Sequence, residues 1–227
     1  MPLATKAKEF SLDEVRILTK QVRKRYDEPI VKFDMTVSDK DGEHFQHVFT
    51  VEDPPRTLFV SYSEDHGPVD RYQIMKPISY MNVHFNRHGL YKGAVIFFSK
   101  EKIRSVHAPI RLLYAPLPNI GYDFHVAPVI GICMGNHTMH GTSMQDKALK
   151  YNAHFWNSKF NDQIEWTSAV DPFMKGRVDY GFPALLDKWQ KCTEKKQLPK
   201  FKSVRGSMGK SIRHAAEALM NALLGID

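Results

Sequence analysis

Cysteine is almost absent from the sequence: Cys133 and Cys192 are the only two in 227 residues. That excludes the disulfide framework that holds many small secreted domains together. Long apolar runs are lacking as well. None approaches the ~18 residues needed to cross a bilayer, and the opening MPLATKAKEF has no apolar signal-peptide core. A cytoplasmic location with no membrane partner is therefore expected, where a thiol stays available for chemistry. There is no Walker A loop, no G-x-S-x-G elbow, no H-E-x-x-H and no G-x-G-x-x-G, so nothing points to ATP hydrolysis, serine hydrolysis or dinucleotide chemistry. Internal repeats and low-complexity segments are also missing.

Acidic residues are scarce in one region. Between Lys188 and Arg213 nine basic residues face a single acid, Glu194, against a net charge of +7 for the whole chain. The positions around Pro199, namely Lys195, Lys196, Lys200, Lys202 and Arg205, form a basic linker able to attract nucleic acid or an acidic partner. No zinc-finger, recognition-helix or stacking signature accompanies this charge, so a solvated face explains it equally well.

The remaining composition, 42% hydrophobic and 25% charged, is that of an ordinary globular domain. Ser11-Leu12-Asp13-Glu14 has the form of a capping box opening a helix with Val15, Leu18 and Val22 on one face and Arg16, Lys20 and Arg23 on the other. Strands are expected over Ile30–Val37, His44–Val51, Arg56–Ser63, Met75–Phe85 and Leu90–Ser99. Turn sequences separate several of them, Asp39–Gly42 and Asn86–Gly89 in particular. Helices return at Met144–Ser158, Tyr180–Glu194 and Ser207–Leu224. The pattern predicts an α+β fold, with residues 1–196 as the main domain and 197–227 as a basic linker and helix that could be an appendage.

Candidate chemistry concentrates in Leu112–His140, LLYAPLPNIGYDFHVAPVIGICMGNHTMH. Cys133 stands in a short segment bounded by Gly131 and Gly135. It is either a nucleophile, which requires a stabilised thiolate, or a buried structural residue. Asn119, on a Pro-Asn turn, can donate to a developing oxyanion or brace its own turn. His137 and His140 can supply a base. With Cys133 they also give C-x3-H-x2-H, three of the ligands of an open zinc site; no fourth ligand at a familiar spacing accompanies them, and no metal or other cofactor is expected. Cys192, placed mid-helix, reads as structural.

The order of these features resembles the ubiquitin-conjugating enzyme (UBC) fold: a basic N-terminal helix, a strand meander, a Pro-Asn turn, a glycine then a cysteine, and C-terminal helices. The family pattern is His-Pro-Asn, a flap, then Gly-x-Ile-Cys-Leu. Here Leu117-Pro118-Asn119-Ile120 and Gly131-Ile132-Cys133-Met134 stand in those places. The chain is closer still to the bacterial UBC-like proteins of prokaryotic family D, which include protein B of the PRTRC plasmid systems. They share a pattern similar to Leu112–Asn119, then Cys-x-Gly, then an aromatic helix end similar to Phe155-Trp156-Asn157-Ser158-Lys159-Phe160. The likeness covers roughly residues 110–160.

The resemblance implies a transferase in which Cys133 takes a ubiquitin-like modifier from an activating enzyme as a thioester and passes it to an amine. Asn119 would stabilise the oxyanion, His137 or His140 would assist proton transfer, and Arg16, Lys20 and Arg23 would meet the activating enzyme. Two departures stand out. Leu117 replaces the family histidine, and Asn119 and Cys133 lie 14 positions apart, so that Phe124–Pro128 reads as an insertion. The alternative expectation is a non-catalytic UBC-like or α+β module of a plasmid or phage system that binds nucleic acid or an acidic partner through its basic C-terminal segment.

Overall fold

The computed structural model describes residues 30–39, 42–63, 67–117, 120–121, 131–132, 134, 138–161, 182–204 and 210–224. Within them the chain is α+β. An antiparallel sheet in the order β1-β2-β5-β6-β7 forms its centre. β1 (Ile30–Asp39) and β2 (Gly42–Asp53) make a hairpin in continuous register from Ile30↔Val51 to Asp39↔Gly42. Gly42 has φ +124°, a backbone conformation that L side chains rarely adopt.

β2 does not pair next with β3, as a simple meander would require. The chain leaves the sheet at Pro54-Pro55, whose missing N–H groups cannot continue a ladder. It then forms a second hairpin, β3 (Arg56–Tyr62) with β4 (Asp70–Lys76), and re-enters after Pro77 as β5 (Ile78–Asn86). The expected strand Met75–Phe85 is thus two strands broken at Pro77. Asp70–Lys76 has a weak strand signature in sequence because its exposed residues are polar: Tyr72, Ile74 and Lys76 are buried and Asp70, Arg71 and Gln73 exposed.

One buried node holds the point where the two sheets part. Lys76, with no solvent exposure, reaches the carbonyls of Asp53 (3.0 Å) and Pro54 (2.7 Å), Ser79 Oγ (3.2 Å) and Asp53 Oδ2 (3.3 Å). Arg56 Nη2 shares Asp53 Oδ2 at 2.8 Å. Both ends of the excursion, β2–β3 and β4–β5, are tied to this single ammonium.

β6 (Tyr91–Ser99) pairs with β5 across the Asn86–Gly89 turn, where Asn86 Oδ1 accepts from the N–H groups of His88 and Leu90. β7 (Leu113–Tyr114) completes the sheet. β5 is buried along nearly its whole length because helices cover both faces. On one face α1 (Met144–Asn157) brings Tyr151 against Phe85 and Tyr91, and α2 (Phe182–Glu194) brings Trp189 against Phe98. On the other, α3 (Ile212–Leu224) sets Ala216 and Met220 on Met35 and Val48, and Asn82 Nδ2 donates to the Ile212 carbonyl at 3.2 Å.

β10 (Lys159–Phe160) adds a parallel strand to β3, giving the second sheet the order β10-β3-β4. The outer edge of β4 is closed by side chains of α2. Gln190 Oε1 accepts from Gln73 N, Thr193 Oγ1 from Met75 N, and Trp189 Nε1 donates to the Met75 carbonyl, all at 2.8–2.9 Å. An edge that would otherwise offer unpaired N–H groups is thereby occupied.

Of the segment 197–227, read from sequence as a possible appendage, the described residues 197–204 and 210–224 pack on the core. Val204 N donates to Leu112 O, Tyr114 N to Lys202 O, Ile110 N to Lys210 O and Arg213 N to Val106 O. Ile212, Ala215, Ala216, Leu219 and Met220 are buried. Leu219 and Met220 each contribute about 1.5–3 kcal/mol by leaving water. The helix starts at Ile212, later than the expected Ser207, because Ser211 is the residue whose Oγ accepts from the His214 N–H. The N-terminal helix expected from Ser11 onward lies outside the described residues.

Candidate functional site

The candidate segment begins at the free edge of β6. Phe97↔Tyr114 and Phe98↔Leu113 attach β7 to that edge. Ala115, Pro116 and Leu117 follow as buried residues, with the Leu117 N–H on the Ala115 carbonyl at 2.8 Å, a tight turn closed around Pro116. Leu117, in the place of the family histidine, is 1% exposed and belongs to the main core. An apolar residue suits that environment, since a buried imidazole would need hydrogen-bond partners.

Beyond this turn a two-stranded ladder forms. β8 (Ile120–Gly121) pairs antiparallel with β9 (Gly131–Ile132), Ile120 opposite Ile132 and Gly121 opposite Gly131. Ile120, Ile132 and Met134 are buried in the same core as Leu117, and β9 lies beside β6. Asn119, Cys133 and His137 lie outside the described residues, as do the Phe124–Pro128 stretch, Arg16, Lys20, Arg23 and Arg205.

Of the expected catalytic set, His140 is described. Its side chain is exposed, just ahead of α1, and its carbonyl accepts from Lys150 Nζ at 2.9 Å. Ser143 caps α1, its Oγ accepting from Asp146 N at 3.1 Å, while Asp146 Oδ2 accepts from Thr142 N and Lys150 Nζ. The hydrogen bond and charge of Lys150 hold the Asp146 carboxyl below its ordinary pKa. Gly141 permits this packing: a Cβ there would stand 2.8 Å from Asp146 Oδ2. The segment that carries His140 toward α1 is therefore fixed by its backbone.

Cys192 is half-buried on α2 and its carbonyl accepts from Gln197 N, a helix-terminating bond. Among the described residues no group of three or more His, Cys, Asp and Glu could hold a metal ion. No helix among them is long and apolar enough to cross a membrane.

The structure also assembles a charged surface that the linear reading divided. One of its two parts is the basic run 188–213. A second basic run, Lys100–Arg111, has four basic residues against Glu101 and is the partner to which 202–213 is hydrogen-bonded. Tyr80 anchors this run: its hydroxyl donates to Glu52 Oε2 at 2.9 Å and accepts from Ile103 N at 2.8 Å. Burial, with the Glu52 carboxylate beside it, pushes the phenol pKa well up, against the lowering effect of the Ile103 N–H. A charge count over all windows, rather than the C-terminal one alone, would have marked this run. Of the linker cations, Lys195, Lys196, Lys200 and Lys202 are exposed.

No protein-family model, curated protein or solved structure matches the chain.

Proposed function

We propose that the chain is a UBC-like conjugating protein that carries a ubiquitin-like modifier as a thioester on Cys133. The observation that supports this reading is the Ile120↔Ile132 pair. In the covalent chain Asn119 precedes Ile120 and Cys133 follows Ile132. Paired strands lie about 5 Å apart, so the nine residues 122–130 leave and return at one place. The long separation of amide and thiol in sequence is therefore compatible with a single site. The antiparallel sheet, and the helices that follow the candidate segment, agree with the same architecture.

In the proposed reaction the Cys133 thiolate attacks the thioester carbonyl of the activated modifier, forming a new C–S bond and expelling the donor thiolate. An acceptor amine then attacks that carbonyl, expels the Cys133 thiolate and loses a proton to a base, for which His137 and His140 are the candidates. Asn119 would donate to the oxyanion in both steps.

Reactivity of the thiol tests this without knowledge of the modifier. In Cys192→Ser protein, iodoacetamide should alkylate Cys133 in the folded state with a pH midpoint below the ~8.5 of a free thiol. Ubiquitin supplied as its mercaptoethanesulfonate thioester should give a DTT-sensitive adduct that Cys133→Ala abolishes. A Cys133 that resists alkylation until the protein is unfolded would refute the reading.

A further inference from the structure

We propose that the surface built by residues 100–111, 200–204 and 210–213 binds the phosphate backbone of double-stranded nucleic acid, independently of the thiol. Two stretches that are far apart in sequence are laced together here by the four backbone hydrogen bonds between 106–114 and 202–213, of 2.8–3.0 Å. Their inward residues, Leu112, Leu113, Phe201, Val204 and Ile212, are buried in the core. Lys100, Arg104, Arg111, Lys200, Lys202 and Lys210 are exposed.

Ion-paired cations occur across the molecule, Lys102 and Arg213 of these two stretches among them. Lys32, Arg56, Lys76, Lys102, Lys150 and Arg213 all stand within 4 Å of a carboxylate. Lys100, Arg104, Arg111, Lys200 and Lys210 have no acidic partner among the described residues. The two laced stretches thus carry five cations without an acidic partner among the described residues.

That surface also has a shaped receptor. A cavity of about 250 Å³ lies between Lys100 and Arg111, with Ser203 contributing a hydroxyl and Phe201 an apolar wall. Arg111 Nε donates to Ser203 Oγ, which orients the guanidinium. Glu101 is the single acid at its rim. A neighbouring hollow shares Glu101 and Ile110 with it and continues to Arg104. Phe201 is buried against Phe98 and Trp189, so the groups left to a ligand are cations and a hydroxyl, which suit phosphate oxygens rather than bases. The exposed large apolar residues, Val31, Phe45, Phe59, Val69, Leu90 and Leu198, lie on other segments apart from Leu198. Among the described residues, this surface therefore has no apolar patch of the sort that centres a protein–protein interface.

Of the six exposed cations, about three or four meet phosphates of one duplex at a time. The predicted slope of log K against log salt is then about −3 to −4.

The test is fluorescence anisotropy of a labelled 20-base-pair DNA duplex with the full chain from 25 to 300 mM NaCl. Binding should weaken with the stated slope. Lys100→Ala/Lys210→Ala, which removes no hydrogen bond described above, should flatten the slope by about 2. Arg111→Lys should keep the slope, and Lys92→Ala/Lys159→Ala, on β6 and β10, should change nothing. Circular dichroism verifies that each variant is folded. The proposal is overturned by no anisotropy change at 25 mM NaCl. It is also overturned if the 100/210 pair and the 92/159 pair lose affinity equally, or if polyglutamate of matched charge competes as well as unlabelled duplex. The last outcome would assign the surface to an acidic protein.

Discussion

Lys76→Met probes the node on which the two sheets depend. Methionine keeps the length of the stem and removes the ammonium. The carbonyls of Asp53 and Pro54 then lose a donor at 3.0 and 2.7 Å, and Trp156 loses a cation 5.3 Å from its ring centre. Asp53, itself without exposure, keeps only Arg56 on Oδ2, while its Oδ1 already has no partner. Removing one member of a buried pair costs about 3–5 kcal/mol, mostly because the remaining charge is stranded. The ammonium no longer has to be desolvated, which places this variant near 3 kcal/mol, a large share of the 5–15 kcal/mol that ordinary domains possess. With a urea m-value of about 2 kcal/mol/M, the unfolding midpoint should fall by about 1.5 M at unchanged m. Adding Asp53→Asn should recover part of that loss, because the stranded charge is gone and Arg56, about one-third exposed, can turn to water. A midpoint shift of Lys76→Met below about 0.3 M, or a double variant less stable than the single, would refute the account of the node.

Other consequences follow from single residues. Lys196 occupies the left-handed C-terminal position of α2 at φ 55°, with Lys196 N on Thr193 O and Gln197 N on Cys192 O. This is a Schellman cap in a place that favours glycine. Lys196→Gly should therefore raise stability by about 0.5–1 kcal/mol, seen as a higher urea midpoint; a lower one contradicts the cap. Thr193→Val removes the acceptor of the Met75 N–H and should destabilise by about 1–3 kcal/mol, with faster hydrogen exchange at Met75 as the specific readout. His84 is fully enclosed, its Nδ1 on Gln46 Oε1 and its Nε2 without a partner; burial pushes its pKa down to about 3. The unfolded chain takes up this proton below pH ~6.5 and the folded chain does not. Stability from this group is therefore complete above about pH 6.5 and lost as pH falls toward 3, by about 1.4 kcal/mol per pH unit. His84→Gln should flatten that slope in urea titrations at pH 7, 6, 5 and 4; parallel slopes would show that His84 titrates freely.

Local signals located most of the elements. The β1–β2 hairpin, the Asn86–Gly89 turn, the apolar run that became β6 and the three described helices all carry period, turn chemistry or caps within a short window. The misreadings came where the deciding partner is distant. The β4 residues Asp70–Lys76 carry a charged outer face, and the strand is secured by Gln190, Thr193 and Trp189 more than a hundred positions away. Pro77, which has no N–H for a ladder, divides Met75–Phe85 into the end of β4 and β5. The C-terminal helix seemed detachable because the linker before it is polar, although its hydrogen-bond partners sit at 106–114. In the candidate site, the sequence marked the residues by type and order, but nothing local states that Ile120 faces Ile132.

The sequence by itself determined the chemistry on offer: which segments are apolar on one face, where a cysteine stands between glycines, and how much positive charge the chain carries. Those properties belong to residues and their near neighbours. The tertiary structure alone decided which strands share a sheet, that the last helix completes the core, and that two basic runs form one surface. Each of these depends on pairing free energy between segments whose separation in sequence leaves no local trace.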